Sequence, residues 1–296
     1  YYRINHILKT NTDDLYTAYP IASFSTQKAL DESFNFAIHA DPHVGIRVRG
    51  AHEEEKADDN QYEKTLANTL AFAPDFMIDL GDTFMSEKNT QRDFYAPDDG
   101  IDKTPAERQW VEEDYQYLRG FFGQVAHSVP LFLVNGNHEG ETGWEKDKEE
   151  SVAVWANNLR KQYFPAVTAN DFYSGSTEEE NYVGRHDGYY AWHWGDALFV
   201  VLDPFWYGEV KAKVGSEWEW TLGKSQYDWL TSTLKESDAK YKFIFMHNIV
   251  GGQNDSNGLG RGGALVASDW EWGGVNPNTG LSEFSIQRPG WDQPIH

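Results

Sequence analysis

From Ser33 onward the chain repeats one arrangement: a short apolar run rich in strand formers, a polar stretch with helical spacing, then another apolar run. The runs are Phe34–Ile38, Phe76–Leu80, Leu131–Val134, Leu198–Leu202 and Lys242–Met246. Most are apolar nearly throughout, as strands covered on both faces are. Between them, Asp59–Phe72 has helical spacing and stops before Pro74. Thr104-Pro105-Ala106-Glu107 reads as a capping box with proline at the first helical position, opening a helix to about Phe122. Glu150–Tyr163 is stopped by Pro165, and Ser225–Leu234 sets Tyr227, Leu230 and Leu234 on one face. Strands alternating with helices predict an α/β fold. With no internal repeat or interior linker, the expectation is one domain over residues 33–296, preceded by a polar lead-in over 1–32.

Composition sets bounds rather than a function. Of 296 residues, 40% are hydrophobic and 15% aromatic, enough for a large core. With 25 basic and 47 acidic residues the net charge is −22, which disfavours nucleic-acid backbones and anionic membranes as partners. The absence of cysteine excludes disulfides, thiolate metal sites and cysteine nucleophiles. No apolar run approaches a bilayer-spanning length. The chain opens at Tyr1 with neither methionine nor an apolar signal segment, so the expectation is a removed leader or a piece of a longer chain.

The chemistry sits where the strands end. Phe34–Ile38 runs into His39-Ala40-Asp41-Pro42-His43, and Phe76–Leu80 into Gly81-Asp82. Leu131–Val134 runs into Asn135-Gly136-Asn137-His138-Glu139, and Lys242–Met246 into His247-Asn248. Open α/β sheets bind ligands just beyond the carboxyl ends of their strands. Asp41, His43, Asp82, Asn137, His138 and His247 are therefore delivered to one edge as a metal-binding constellation. Carboxylate, amide oxygen and imidazole without sulfur suit Mn, Fe, Zn or Co. The donors exceed what one ion takes, so two divalent or trivalent transition-metal ions are expected. Asp82 is the candidate bridge, with Gly81 letting the backbone turn sharply beside it.

Asp41-x-His43, Gly81-Asp82, Gly136-Asn137-His138-Glu139 and His247, in this order, resemble the signature of the calcineurin-like metallophosphoesterases over roughly residues 34 to 250. Glu271-Trp272-Gly273-Gly274, Arg288-Pro289-Gly290-Trp291 and Pro294-Ile295-His296 resemble a bacterial, exported branch of that family, which implies an extracytoplasmic location. The resemblance implies a four-layer α/β-β/α sandwich with its site on one edge, hydrolysing the ester of a small phosphorylated substrate. Carried over by position, Asp41 and His43 bind the first ion, Asp82 bridges, and Asn137 and His247 bind the second. His138 is then the non-ligand acid beside the leaving group, and a hydroxide shared by the ions attacks phosphorus.

The family closes its site with a G-H-x-H segment, one histidine for each ion. Nothing after His247 matches it, and the only later histidine is His296. The expectation is that the C-terminal part of the domain is missing and that each ion lacks one ligand, which leaves the activity of this length of chain open. Met85, where purple acid phosphatases carry tyrosine, and His43, where they carry glycine, set the chain apart from that branch.

Other residues are read more plainly. Asp79 and Asp203 are structural carboxylates at strand ends, with a contact to a ligand histidine as the alternative. His39, His52, His127, His186 and His193 fit no motif position and are read as ordinary surface or core histidines. Arg261, in a Gly-, Asn- and Trp-rich stretch over residues 251–290, is either a surface residue or a contact for a substrate phosphate. Trp206, Trp218, Trp220, Trp270 and Trp272 admit a second reading, a carbohydrate-binding module built on an aromatic platform. That reading gives the strand-end motifs no role. A glycosidase is weaker still, since nothing singles out two acids from the 47 present.

Overall fold

The structure is a computed structural model that describes residues 1–9, 14–45, 55–83, 105–165, 167–207, 222–247, 274–275 and 282–283. Its centre is a pair of sheets facing each other. The first contains β3 (Phe36–His39), β4 (Phe76–Asp79) and β5 (Leu131–Leu133), parallel and in that order. The second contains β6 (Ser174–Gly175), β9 (Tyr190–Trp194), β10 (Ala197–Val201) and β11 (Tyr241–Phe245), in the order β11-β10-β9-β6. There β10 runs parallel to β11 and antiparallel to β9.

Side-chain alternation divides each strand between two cores. Phe76, Ile78 and Phe132 from the first sheet meet Trp192, Phe199 and Val201 from the second. This middle core is aromatic: Phe36 stacks on Phe76 with ring centroids 5.2 Å apart, and Phe132 stacks on Trp192 at 3.9 Å. Met77, between Phe76 and Ile78, points the other way, into a core shared with three helices. Those are α1 (Glu55–Phe72), α2 (Pro105–Phe122) and α3 (Val152–Tyr163), which contribute Leu66, Val111, Tyr115, Trp155 and Leu159. On the far side of the second sheet, Leu198 and Val200 pack with Leu222 and with Tyr227, Leu230 and Leu234 of α4 (Gly223–Glu236). Helices, sheet, sheet and helix make the four-layer α/β-β/α sandwich that the resemblance implied.

Helix ends follow local chemistry. Ser151 Oγ accepts from Val154 N–H at 3.2 Å to cap α3, whose chain leaves the helix at Phe164 before Pro165. Ala73 closes α1 in the left-handed region, φ 51°, ahead of Pro74.

Two parts of the fold depart from the sequence reading. The lead-in is structured: β1 (Asn5–Lys9) and β2 (Asp14–Ala18) pair antiparallel, and Tyr2 donates its hydroxyl to the His127 carbonyl. The aromatic run Tyr190–Trp194 is also a strand, buried at every position but His193. Short pairs β7 (Glu179–Glu180) with β8 (Gly184–Arg185) and β12 (Gly274–Val275) with β13 (Ser282–Glu283) complete the described strands. Among the described residues no helix is long and apolar enough to cross a membrane.

Candidate metal centre

The carboxyl ends of β3 and β4 are zipped together by their own backbones. Asp41 N–H donates to Gly81 O at 3.1 Å, His43 N–H to Asp82 O at 3.2 Å and Val44 N–H to Thr83 O at 2.8 Å. This close travel puts three candidate ligands in the left-handed region: Asp41 at φ 54°, His43 at 47° and Asp82 at 51°. Backbone strain of this kind costs of order 1–3 kcal/mol per residue and concentrates at functional sites. Two glycines admit the third loop. A Cβ on Gly81 would lie 2.3 Å from Gly136 N, and one on Gly136 would lie 2.2 Å from Asp82 Oδ1.

Asp82 is the hub. Its Oδ2 lies 3.6 Å from His43 Nε2, 3.3 Å from His247 Nε2 and 3.9 Å from His138 Nε2. Its Oδ1 accepts from the His138 backbone N–H at 2.8 Å. Asp41 Oδ1 is 3.7 Å from His43 Nε2, and Asp41, His43 and Asp82 offer donor atoms within 4.8 Å of one another. A cleft of about 440 Å³ opens beside them, lined by His39, Asp41, His43, Gln61 and Tyr62 among others. Asn137 lies half-buried in the turn between Gly136 and His138. Three of the other strand-end candidates, His43, His138 and His247, thus converge on the Asp82 carboxylate, with Asp41 beside His43. Asn137 shares their loop. Arg261 and Met85 lie outside the described residues, as do Trp218, Trp220, Trp270 and Trp272.

The donors themselves test the fit to metal ions. His43 Nε2 is buried with no hydrogen-bond partner. Its separations from Asp82 and Asp41 are too long for hydrogen bonds. They are close to the roughly 3.0–3.4 Å between neighbouring ligands about 2.1 Å from one ion. His247 Nδ1 meets the Leu80 carbonyl at 3.0 Å; donating there leaves the Nε2 lone pair free to coordinate, the usual second contact of a metal-bound histidine. The residues fit transition-metal ions.

Electrostatics point the same way. Burial works to raise Asp82, but the facing imidazoles of His247 and His43, with charge from His247 and His138, hold its carboxyl well below the usual carboxylate range. Burial works to lower His247, but Asp82 beside it, with Glu139 and Asp41, pushes it up to about 9. Without ions the His247 imidazolium offsets the Asp82 carboxylate, and a cation would take the place of its proton.

The sequence reading assigned no role to Glu139, which clamps the site. Its Oε2 accepts from Asp82 N–H at 3.0 Å and Gly136 N–H at 2.5 Å, and its Oε1 from Thr83 N–H at 2.8 Å. One buried carboxylate thereby locks the β4 loop to the β5 loop. Burial and the Asp82 charge push it up to about 8 against the pull of these N–H groups. Its signal in the sequence was membership of the Gly136–Glu139 motif, with nothing to say that it binds backbone. Asp79 is structural, as read: fully buried, it accepts from Gly81 N–H, Thr83 Oγ1 and Tyr62 Oη. Burial pushes it up to about 6.

His39, His127 and His193 sit against the hydroxyls of Thr69, Ser128 and Ser237 and remain ordinary. His186 is a core histidine, fully buried between Glu141 and Asp203, with ionic surroundings gathered from distant parts of the chain that the sequence reading did not anticipate. The reading of Trp206 is corrected. It is fully buried and stacks on His186 at 4.5 Å, so it cannot serve an exposed aromatic platform.

The chain matches the family model described as calcineurin-like phosphoesterase over residues 34–268. No curated protein matches it. Among solved structures it is similar to a purple acid phosphatase, PPD1, from yellow lupin (Lupinus luteus) seeds, at 14% identity and a TM-score of 0.47. That match covers 86% of this chain and 37% of the lupin one, so the chain spans well under half of that protein's length. It is also similar to a dimetal phosphatase from Danio rerio, at 13% identity and a TM-score of 0.41, covering 73% of this chain and 70% of that one. The family match spans most of the chain and contains every strand-end motif that converges on Asp82, and on that ground the chain belongs to the calcineurin-like phosphoesterase family.

Proposed function

We propose that this chain carries the catalytic site of a metal-dependent phosphoric ester hydrolase acting on a small phosphorylated substrate at a dinuclear centre. The observation that carries the reading is the convergence of His43, His138 and His247 on the buried Asp82 carboxylate, with Asp41 beside it. Asp41 and His43 would hold one ion, Asn137 and His247 the other, with Asp82 between them. Bound ions supply Lewis-acid polarisation of the phosphoryl oxygens and a water made acidic enough to attack near neutral pH.

The protein's own groups do the rest. The carbonyl of Leu80 orients His247, and Glu139 holds the two loops so that their donors keep one spacing. His138 gives its ring proton to the departing alkoxide. Its backbone is anchored on Asp82, and its side chain is 12% exposed, reachable from the solvent side of the cluster.

The test compares two substrates in metal-loaded protein. His138→Gln should keep its metal and lose about 10²–10⁴-fold on an alkyl phosphate, the usual range for general acid catalysis. The loss should be small on a nitrophenyl ester, whose phenolate leaves without a proton. Asp82→Asn should lose metal and depress both substrates alike. Equal losses for His138→Gln on both substrates, with metal intact, would remove the acid role. Full activity of chelator-treated protein would overturn the whole reading.

A further inference from the structure

A second group of ionisable side chains lies beneath the loop that carries Asn137 and His138, on the interior side of it. Glu141, His186 and Asp203 are 1%, 0% and 0% exposed. His186 Nε2 faces Glu141 Oε2 at 3.5 Å and Asp203 Oδ2 at 3.7 Å, and the three donor atoms lie within 4.8 Å of one another. These separations are too long for hydrogen bonds, and the ring nitrogen has no hydrogen-bond partner. They are near the roughly 3.4 Å between two ligand atoms each about 2.1 Å from a tetrahedral ion. Asn157 Oδ1, on the amide whose Nδ2 donates to Glu141 at 2.9 Å, is likewise buried without a partner.

The charges leave a gap of the same kind. Arg160 pairs with Glu141 through Nε and Nη2, and with Asp187 through Nη2 at 2.7 Å. Among the described residues, the hydrogen-bond donors to the Asp203 carboxylate are neutral: the N–H groups of Phe205 and Trp206 and the Asn135 amide. Buried charges are paired or coordinate metals. The ring is held ready by Trp206, stacked on it at an interplanar angle of 16°. Gly188 permits the approach, since a Cβ there would lie 2.3 Å from His186 Cε1 and 2.4 Å from Asp203 Oδ2. Coordination through Nε2 puts the ring proton on Nδ1, which forfeits only the long 3.4 Å contact from Gly188 N–H.

We propose that Glu141, His186 and Asp203 form a buried structural site for one divalent transition-metal ion, separate from the Asp82 cluster. One imidazole 3.5 and 3.7 Å from two carboxylates, all closed to solvent, suits Zn²⁺. The ion ties the end of β10, through Asp203, to the far end of the loop that begins at Asn135 and ends at Glu141. It therefore braces the loop holding Asn137 and His138 without touching substrate. The proposal does not depend on the edge site's activity.

The test uses the full chain with the edge disabled by His43→Gln and Asp82→Asn, loaded with Zn²⁺ and dialysed against metal-free buffer. Elemental analysis should find one Zn²⁺ per chain, and Co²⁺ in its place should show the visible absorption of tetrahedral cobalt. Adding His186→Gln, or separately Gly188→Ala, should reduce retention from one ion to none. A folded edge-disabled chain without zinc, or one that keeps its zinc after His186→Gln, overturns the proposal. Should the multiple variants not fold, crystals of the unmodified chain grown with Zn²⁺ decide it by anomalous scattering. A peak between His186 Nε2, Glu141 and Asp203 supports the site, and no peak there overturns it.

Discussion

The cluster on Asp82 and the cluster on Asp203 use the same chemical parts, carboxylates and imidazole at 3.3–3.9 Å, and differ in what surrounds them. At the edge, Asp41, His43 and Asp82 sit on loops in left-handed backbone, the Asp41 side chain is 55% exposed, and no described lysine or arginine pairs with them. In the interior, Arg160 stands between two carboxylates and the cluster is shut beneath Trp206. A charge cluster open to water can take up ions and substrate. One enclosed in the core can only hold its surroundings in place. The difference teaches that access to solvent, not residue type, separates a cluster that can take up substrate from one that can only brace the fold.

The comparison breaks first on stability. Arg160→Met should destabilise the fold by about 3–5 kcal/mol in urea unfolding, because it strands Glu141 and Asp187 without their cation. Asp41→Asn, removing one charge from the exposed side, should stay within about 0.5 kcal/mol. If both changes cost alike, the two regions are not distinct in the way described.

A smaller effect, on function, is expected at the clamp. Glu139→Gln keeps the shape but replaces one acceptor oxygen by a donor facing backbone N–H groups. Metal affinity at the edge should fall about 10–100-fold, as for groups that act through a ligand. Isothermal titration with Mn²⁺ or Zn²⁺ would measure it. An unchanged affinity would mean that the loops keep their spacing without Glu139.

The smallest effect is the response of the metal-free edge to pH. His247, raised from 6.5 to about 9, contributes stability that is complete below its unfolded value and lost as pH rises through about 9. Asp82, depressed, contributes stability above its unfolded value that is lost only in acid. Chelated protein should therefore lose about 2 kcal/mol between about pH 7 and about pH 9, and His247→Gln should flatten that slope. The slope surviving in His247→Gln would show that another group carries it.

Much of this was legible residue by residue. The strands beginning near Phe76, Leu131 and Leu198 start within one residue of their expected positions, because runs buried on both faces have little choice but to be apolar. Pro74 and Pro165 marked helix ends, as a ring without an N–H must. The ends of β3, β4, β5 and β11 carried Asp41 and His43, Asp82, His138 and His247, which the structure brings together. The pairing of β1 with β2 was not legible because their apolar residues, Ile7 with Leu8 and Leu15 with Tyr16, stand side by side instead of alternating. The distant partners of Glu139, backbone N–H groups 56 and 57 residues away, and the Glu141 and Asp203 carboxylates around His186 leave no local trace.

The sequence by itself determined the order of strands and helices and which residue types stand at each strand end, since periodicity, proline and short motifs act over a few residues. Only the tertiary structure decided which ends meet. It set Gly81 against Gly136 so that Asp82 faces three histidines, and it buried His186 between Glu141 and Asp203. The physical reason is that burial and charge pairing depend on distance in space, and those distances exist only once the two sheets have packed.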